Sequence, residues 1–589
     1  MSDTITLSVD GRPVTVKAGS TILDACAASG VKVPTLCHLP DVCSNASCGV
    51  CAVEVEGARG LVRSCVQQAR EGMKVTTASA RVLESRRTVV ELLLASHPED
   101  CLSCLRQESC ELRELAELVG VRKRAFPPTR APRKLDAISA AIVRDNDKCI
   151  LCGRCIEVCR EVQGVSAIDY AGRSQNSRVA VFGDRSLADS VCVSCGQCTV
   201  VCPTGALTER DETDEVLALL RDPDKVVVVQ TAPAIRASLG EALGMDPGAL
   251  VTGRMAAALR RLGFARVFDT QFAADLTIME EGNELLARMA GKAKGKLPML
   301  TSCSPGWISF IETFYPELLP HVSSCKSPQQ MFGAIAKSWW AEKEGIAPEK
   351  LVVVSIMPCT AKKAEAKRPE MRDAWLWWKG KGRASEPYQD VDYALTTREL
   401  ARMIRRVGLD FGRLPEESFD DPLGASTGAA TIFAATGGVM EAAVRTAYEL
   451  VTGEALPGIE LKAVRGFEGV KSATLALAGK ELTVGVAHTL KNARAVLDGI
   501  AAGTSPYAFV EIMTCPGGCV GGGGQPVLPD WEKRRLRTEA IYHEDRKLQF
   551  RKSHQNPAVA TLYKEFLGQP LGHLSHELLH TEYKRKEVR

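Results

Sequence analysis

The run CILCGRCIEVC (149–159) returns 43 residues later as CVSCGQCTVVCP (192–203), with C-x2-C-x2-C-x3-C spacing in both copies. Duplication of one supersecondary unit is the simplest origin of such a pair. Eight thiols this close together need a use, and the rest of the chain narrows it. The 589 residues contain 22 cysteines, and no apolar stretch approaches the roughly 20 residues that cross a bilayer. The N-terminus MSDTITLSVDGRPVTV alternates like a strand and does not read as a signal peptide. The expected location is therefore cytoplasmic, where thiols stay reduced, so metal ligation replaces a disulfide framework as the leading use of clustered cysteines. Lys+Arg number 74 against 71 Asp+Glu, a net charge of +3 that gives no bulk case for nucleic acid or an anionic membrane. The length allows about four domains.

The doubled spacing is that of a two-cluster ferredoxin, in which the fourth cysteine of each run serves the other cluster. One [4Fe–4S] cubane then takes Cys149, Cys152, Cys155 and Cys202, and the other takes Cys192, Cys195, Cys198 and Cys159. The domain is expected over residues 139–210. Zinc does not fit this doubled run, and it also fits the upstream Cys37, Cys48, Cys51 and Cys65 set poorly, because zinc sites usually present two separated close pairs. Upstream, residues 5–17 alternate on either side of Asp10-Gly11 like a hairpin, and TILDACAAS has helical period. Cys37, Cys48, Cys51 and Cys65 follow as C-x10-C-x2-C-x13-C, resembling a plant-type [2Fe–2S] module of β-grasp form over 1–78. Cys43 lies inside that loop as a substitute ligand, but Cys48 is preferred because it stands one short turn from Cys51. Next, a helix (RRTVVELLLAS) runs into His97, Cys101, Cys104 and Cys110, spaced H-x3-C-x2-C-x5-C, in a module over 79–121. A histidine placed before three close cysteines reads as their fourth ligand. The basic, Pro-containing stretch 122–134 reads as a linker.

From about residue 210 the texture becomes α/β: short apolar runs (KVVVVQTA, LPMLTS, LVVVSIMP, AFVEIM) alternate with amphipathic helical segments. Three of these runs, at 297, 351 and 508, feed into a cysteine, placing those thiols just beyond strand ends. Four sulfur-bearing segments stand in this half: TSCSPGW (301–307), SSCKSPQQ (323–330), MPCTAKK (357–363) and EIMTCPGGCVGGGGQP (511–526). The last 60 residues are polar, helical in pattern and free of cysteine. Cys26 and Cys325 have no cluster spacing and read as buried thiols.

The order and wording of these segments resemble the active-site domain of [FeFe]-hydrogenases, and with the upstream modules the resemblance spans essentially the whole chain. His97 and its three cysteines look like the His-ligated [4Fe–4S] site shared by that family and the large peripheral subunit of respiratory NADH dehydrogenases. The resemblance implies a multidomain α+β and α/β protein with a two-lobed H-cluster domain over 222–528 and a small-subunit-like helical segment over 529–589. It implies an H-cluster, a [4Fe–4S] cubane bridged to a diiron unit carrying CO, cyanide and a dithiolate, where H2 forms or splits. Cys359, Cys515 and Cys519 would be cubane ligands, with Cys519 the bridge. The glycines of Cys515-Pro-Gly-Gly-Cys519 would let backbone approach the cluster closely. Lys362 would hydrogen-bond a cyanide, Met357 and Met513 would wall the diiron unit, and Ala232, Pro233 and Gln329 would complete the pocket. Core packing is the alternative for both methionines.

One position departs from the family, whose usual wording is Cys-Cys before Pro, a proton-relaying thiol followed by a cubane ligand. Here the pair is Cys303-Ser304. Three readings follow: Cys303 shifts to ligate the cubane while Ser304 or water carries protons, which is preferred; Ser304 ligates through oxygen; or the cluster is impaired. In DLTIMEEGNELLARM, Glu281, Glu284 and Arg288 share a helix face at i, i+3 and i+7, which by itself is an ordinary solvated face. The resemblance implies that these residues, then Ser323, form the proton path.

No GxGxxG follows a strand with an acid about 20 residues on, and no glycine-rich run ends in GK[ST], so a nucleotide site is not indicated. The resemblance then implies a hetero-oligomer in which flavin and iron–sulfur subunits bind NAD(P), with ferredoxin as the other electron partner, and maturation proteins that supply the diiron unit. The stretch DAWLWWKGKGRASEPYQD (373–390) interrupts the family pattern and reads equally as a docking surface or as tryptophans packing locally. Two other functions compete: an electron-transfer subunit like that of NADH dehydrogenases, and a sensory or weakly catalytic relative, which Ser304 keeps open.

Overall fold

A computed structural model describes residues 3–128, 132–383, 386–454, 456, 458–477 and 480–587. Asp10 and Gly11 both take positive φ, 50° and 80°, as a two-residue hairpin requires, and they join Thr4–Val9 to Arg12–Lys17 in antiparallel register. The sheet runs Arg12–Lys17, Thr4–Val9, Lys74–Thr76, Ala52–Val55, Val62–Arg63, with Thr4–Val9 and Lys74–Thr76 parallel. Thr21 and Asp24 form a capping box on the helix Ile22–Ala28, whose Ile22, Ala25 and Cys26 complete the core under this sheet. This is the β-grasp module. Cys26 is buried as expected, and burial pushes its thiol up to about 11. The helices Ala80–Ala95 and Glu111–Leu118 share a core with Leu36 and Val50 of the first module.

The internal repeat reappears in the backbone. Leu151 and Ser194 take φ of 57° and 58°, and Gly153 and Gly196 take 79° and 69°, so equivalent positions make the same left-handed turns. Each turn opens a short helix, Arg154–Glu157 or Gln197–Val201. Two short antiparallel pairs, Ile142–Arg144 with Leu207–Glu209 and Asp169–Ala171 with Arg178–Ala180, close the domain.

The catalytic half holds two four-stranded sheets. One runs Arg266–Asp269, Val226–Thr231, Leu351–Met357, Tyr393–Thr396, all parallel. Its two central strands lie between packed faces, which is why they read as unbroken apolar runs. The other runs Met299–Leu300, Phe509–Met513, Lys480–His488, Val470–Leu477, with only the last pair antiparallel. Four strands therefore end, in chain order, just before Ala232-Pro233, Cys303-Ser304, Cys359 and Cys515, and so bring the two sheets' carboxyl ends to one place. The run LPMLTS contributes only the two-residue strand Met299–Leu300.

The C-terminal residues form helices at Trp531–Lys547, Pro557–Leu562 and His573–Leu579, then an extended strap. Despite their polar composition they bury Val559, Leu562, Leu578 and Leu579 against Phe272, Phe332 and Trp340. The tryptophans of the 373–390 stretch pack locally: Trp378 is 1% exposed and donates to the Lys337 carbonyl (2.7 Å), while Trp377 lies edge-on to Trp378 and Phe566. This removes the docking reading for Trp378. Among the described residues no helix is long and apolar enough to cross a membrane.

Candidate metal centres and active site

The expected thiol sets assemble in space. Cys37, Cys48, Cys51 and Cys65 form two touching pairs, with Cys48 N–H 3.5 Å from Cys37 Sγ and Cys51 Sγ 3.3 Å from Cys65 Sγ. The side-chain hydrogen bond from Cys48 pulls the Cys37 thiol down to about 5. Cys43 directs its thiol at the Cys37 carbonyl (3.8 Å), off these pairs. In the second module Cys104 and Cys110 lie within each other's field, Cys101 is exposed, and half-buried His97 has a buried Nδ1 without a hydrogen-bond partner among the described residues. Burial lowers the His97 pKa, keeping the ring neutral and able to ligate.

Cys149, Cys152, Cys155 and Cys202 line one cavity of about 20 Å3, so the fourth thiol does come from the other repeat. Cys198 has Cys192 and Cys159 as its nearest thiol charges, which groups the second set likewise. Burial, the largest cause, and then neighbouring thiols push Cys155, Cys195 and Cys198 well up. Such thiols ionise when a cation joins them, so the donor chemistry fits iron–sulfur clusters.

Contacts order these sets. Asn45, from the [2Fe–2S] loop, donates to the Cys152 carbonyl (2.9 Å), and Arg106 of the second module donates to the Cys202 carbonyl (2.7 Å). Both N-terminal modules thus meet the first cubane set. The second set abuts the catalytic domain: a Cβ on Gly523 would stand 2.1 Å from the Cys195 carbonyl, so only glycine permits the approach. Gln197 donates across this seam to the Gly521 carbonyl (2.9 Å), and Thr360 to that of Ser194 (2.7 Å). Buried Glu209, gripped by Arg398 and Arg402, ties the two domains further.

At the carboxyl ends of the strands lies a cavity of about 80 Å3, lined by Ala232, Pro233, Gln329, Met357, Met513, Cys303, Ser304, Lys362, Cys359, Cys515 and Cys519. Every pocket residue expected from the sequence is present. Thr270, Ala274, Phe433 and Thr514 line it too and carry no motif by which sequence could mark them. Cys359, Cys515 and Cys519 lie in one another's field. Lys362 Nζ donates to the Cys303 carbonyl (3.2 Å) and to Glu365 (2.9 Å), leaving one of its three N–H bonds for the cavity. Ser304 Oγ is 2.8 Å from Thr514 Oγ1, next to Cys515, whereas the first charge felt by Cys303 is that of Glu281. Cys303 feels the Cys519 charge next and lines the same cavity as Ser304.

Behind Cys303 the helix Thr270–Met289 carries the acidic chain, buried and not solvated. Arg288 donates to Glu284 (2.5 Å) and to the carbonyls of Pro320, His321 and Val322, and Ser323 Oγ donates to Glu284 (2.8 Å). Neither carboxylate oxygen of Glu281 has a hydrogen-bond partner among the described residues, its neighbour Ser323 being bonded to Glu284. Burial, then the Glu284 charge, raises Glu281 to about 8. It is a protonated acid at neutral pH.

Thiol sets leading to a buried, thiol-lined cavity with an acid chain behind it define a multi-cluster iron–sulfur redox enzyme. Residues 225–523 match the model of the iron only hydrogenase large subunit, C-terminal domain, and 531–586 match the iron hydrogenase small subunit. Upstream, 2–80 match a 2Fe-2S iron-sulfur cluster binding domain, 86–125 the NADH-ubiquinone oxidoreductase-G iron-sulfur binding region, and 148–206 a 4Fe-4S dicluster domain. The chain is 51% identical to the NADP-reducing hydrogenase subunit HndD of Solidesulfovibrio fructosivorans, covering 99% of both chains. It is 38% identical to iron hydrogenase 1 of Clostridium pasteurianum over 98% of this chain and 100% of that one. A structure of apo [FeFe]-hydrogenase HydA1 from Chlamydomonas reinhardtii superposes with a TM-score of 0.56 and 44% identity, covering 64% of this chain and 99% of that one. The chain belongs to the iron-only, or [FeFe], hydrogenase family.

Proposed function

We propose that this hydrogenase is the catalytic subunit of a hetero-oligomer that interconverts H2 with protons and electrons. The electrons pass to or from a partner subunit handling NAD(P), as in the relative named NADP-reducing, or ferredoxin. The observation that carries this reading is the cavity itself, which has thiol sets on one side and a buried acid chain on the other. An electron-transfer subunit alone would need neither the cavity nor Glu281. The chain would hold one [2Fe–2S] and three accessory [4Fe–4S] clusters, in domains over 1–78, 79–121 and 139–210, and an H-cluster within 222–528. When bound, the H-cluster, with its CO, cyanide and dithiolate ligands, supplies the metal position at which the H–H bond is made or broken.

The residues divide the remaining work. Cys359, Cys515 and Cys519 would hold the cubane, with Ser304, whose Oγ meets Thr514 Oγ1, as the oxygen donor beside them. Cys303 lines the cavity between the charges of Glu281 and Cys519, a position from which its thiol would carry protons between the acid chain and the cluster site. Protonated Glu281 passes a proton to Cys303 and is recharged from Glu284 by way of Ser323, with Arg288 holding Glu284 in place. Lys362 offers its remaining N–H to the cyanide of the diiron unit, and Met357 and Met513 exclude water.

The deciding experiment is anaerobic production with the diiron maturation proteins, followed by H2 assays with a redox dye and with NAD(P) plus partner subunits. Dye-linked turnover is expected, with nucleotide turnover only when the partners are added. A protein with full iron content and no H2 turnover would overturn this reading in favour of the sensory or weakly catalytic one that Ser304 keeps open.

A further inference from the structure

Three buried side chains outside the catalytic cavity converge at the outer end of the acid chain. Glu284 comes from the helix Thr270–Met289, Cys325 from the segment after Met299–Leu300, and His580 from the C-terminal strap, which pairs with Cys325 as an isolated bridge. Cys325 Sγ is 3.8 Å from Glu284 Oε2 and 4.0 Å from His580 Nδ1, and all three ligand atoms lie within 4.8 Å of one another. The two distances from Cys325 Sγ lie within a few tenths of an ångström of the roughly 3.3–3.8 Å edges of a tetrahedron around an ion with bonds of about 2.0–2.3 Å. A second observation is independent of the first. His580 Nε2 lies 3.1 Å from Glu280 Oε2, and Glu280 is fixed by the Tyr563 hydroxyl (2.5 Å) and the Leu571 N–H (2.8 Å). Held in this way, Glu280 accepts from Nε2–H and leaves Nδ1 on the Cys325 side as the lone pair. A carboxylate behind a histidine in this way is the usual support of a metal-ligating imidazole.

We propose that Glu284, Cys325 and His580 form a zinc site that shuts the proton path when filled. The inference rests on the proposed hydrogenase reading for its consequence, not for the site. Thiolate, imidazole and carboxylate together select Zn2+ among the common cations. Binding releases the Cys325 thiol proton to solvent. The thiolate and the Glu284 carboxylate then balance the ion's two charges. Ser324 Oγ, 2.8 Å from His580 Nδ1, gives up that hydrogen bond and stands at the fourth position. Glu284 bound to zinc accepts no proton, so the relay stops one step from Glu281.

The test uses the holoenzyme with its clusters intact. Zinc per chain is measured after equilibrium dialysis, and dye-linked turnover is measured with micromolar ZnCl2 and again after EDTA. One zinc per chain above the Cys325→Ser and His580→Ala variants is expected, with at least tenfold reversible inhibition and unchanged cluster spectra. Cys325→Ser is expected to keep its basal rate and lose the inhibition. No zinc bound, or equal zinc in wild type and both variants, overturns the site. Zinc bound at this site without inhibition overturns the shut-off. Absence of H2 turnover in every form sinks the hydrogenase reading while the zinc stoichiometry still decides the site.

Discussion

Replacing Glu281 with glutamine keeps the shape of the side chain and removes its proton chemistry, so function and stability should move in opposite directions. In the folded protein the carboxyl is raised to about 8 against an ordinary 4.5, because it is buried and lies near Glu284. Below pH 4.5 it is protonated in both folded and unfolded chains and contributes nothing to pH dependence. Between 4.5 and about 8 the unfolded chain releases the proton and the folded chain keeps it, so stability falls as pH rises, by at most about 1.4 kcal/mol per pH unit and about 5 kcal/mol in total. Glutamine lacks this liability. Glu281→Gln is expected to lower dye-linked turnover at least about 100-fold. Over the same pH range the catalytic domain should become progressively more stable than wild type, as followed by denaturant unfolding of buried Trp307 and Trp340. A variant that keeps more than a tenth of its activity, or whose stability gain is flat or reversed from pH 5 to 8, would refute the assignment of Glu281 as a neutral buried donor.

Cys303→Ala is expected to keep its iron and lose turnover at least about 100-fold, whereas Ser304→Ala should lose iron from the catalytic domain; metal analysis beside the dye assay separates them, and the opposite pattern would return Cys303 to the cubane. His97→Cys adds a negative charge to the second module's cluster, and redox titration should find its potential lowered. Gly523→Ala forces a methyl against the Cys195 carbonyl, so partner-linked turnover should fall at least tenfold at unchanged iron content; an unchanged rate would show that this seam does not govern electron exchange. Trp378→Ala should cost about 3–5 kcal/mol in denaturant unfolding of the catalytic domain without altering partner binding, and loss of partner binding at full stability would revive the docking reading.

The metal-binding pattern was legible because ligand spacing is local: four cysteines within eleven residues carry their geometry in sequence. The parallel strands were legible because burial on both faces leaves an unbroken apolar run, as in Val226–Thr231. What escaped depends on pairing across hundreds of residues. Met299–Leu300 is too short to have a period, and Thr514 is marked by no motif but meets Ser304 from 210 residues away. The C-terminal helices looked polar because their apolar residues are sparse, yet those few fill the core beside Phe272 and carry His580 to Glu280. The burial of Glu281 could not be read from its helix, since the period i, i+3, i+7 says which residues share a face but not what covers it.

Asn45 and Arg106 reach the first cubane set from separate modules, each donating a side-chain N–H to a different cysteine carbonyl. Such a junction is wired in parallel. The two arms are braced on each other, however, through the core that Leu36 and Val50 share with Leu112 and Leu115. A graft bringing a new source of electrons to this junction would therefore have to replace both modules as one piece.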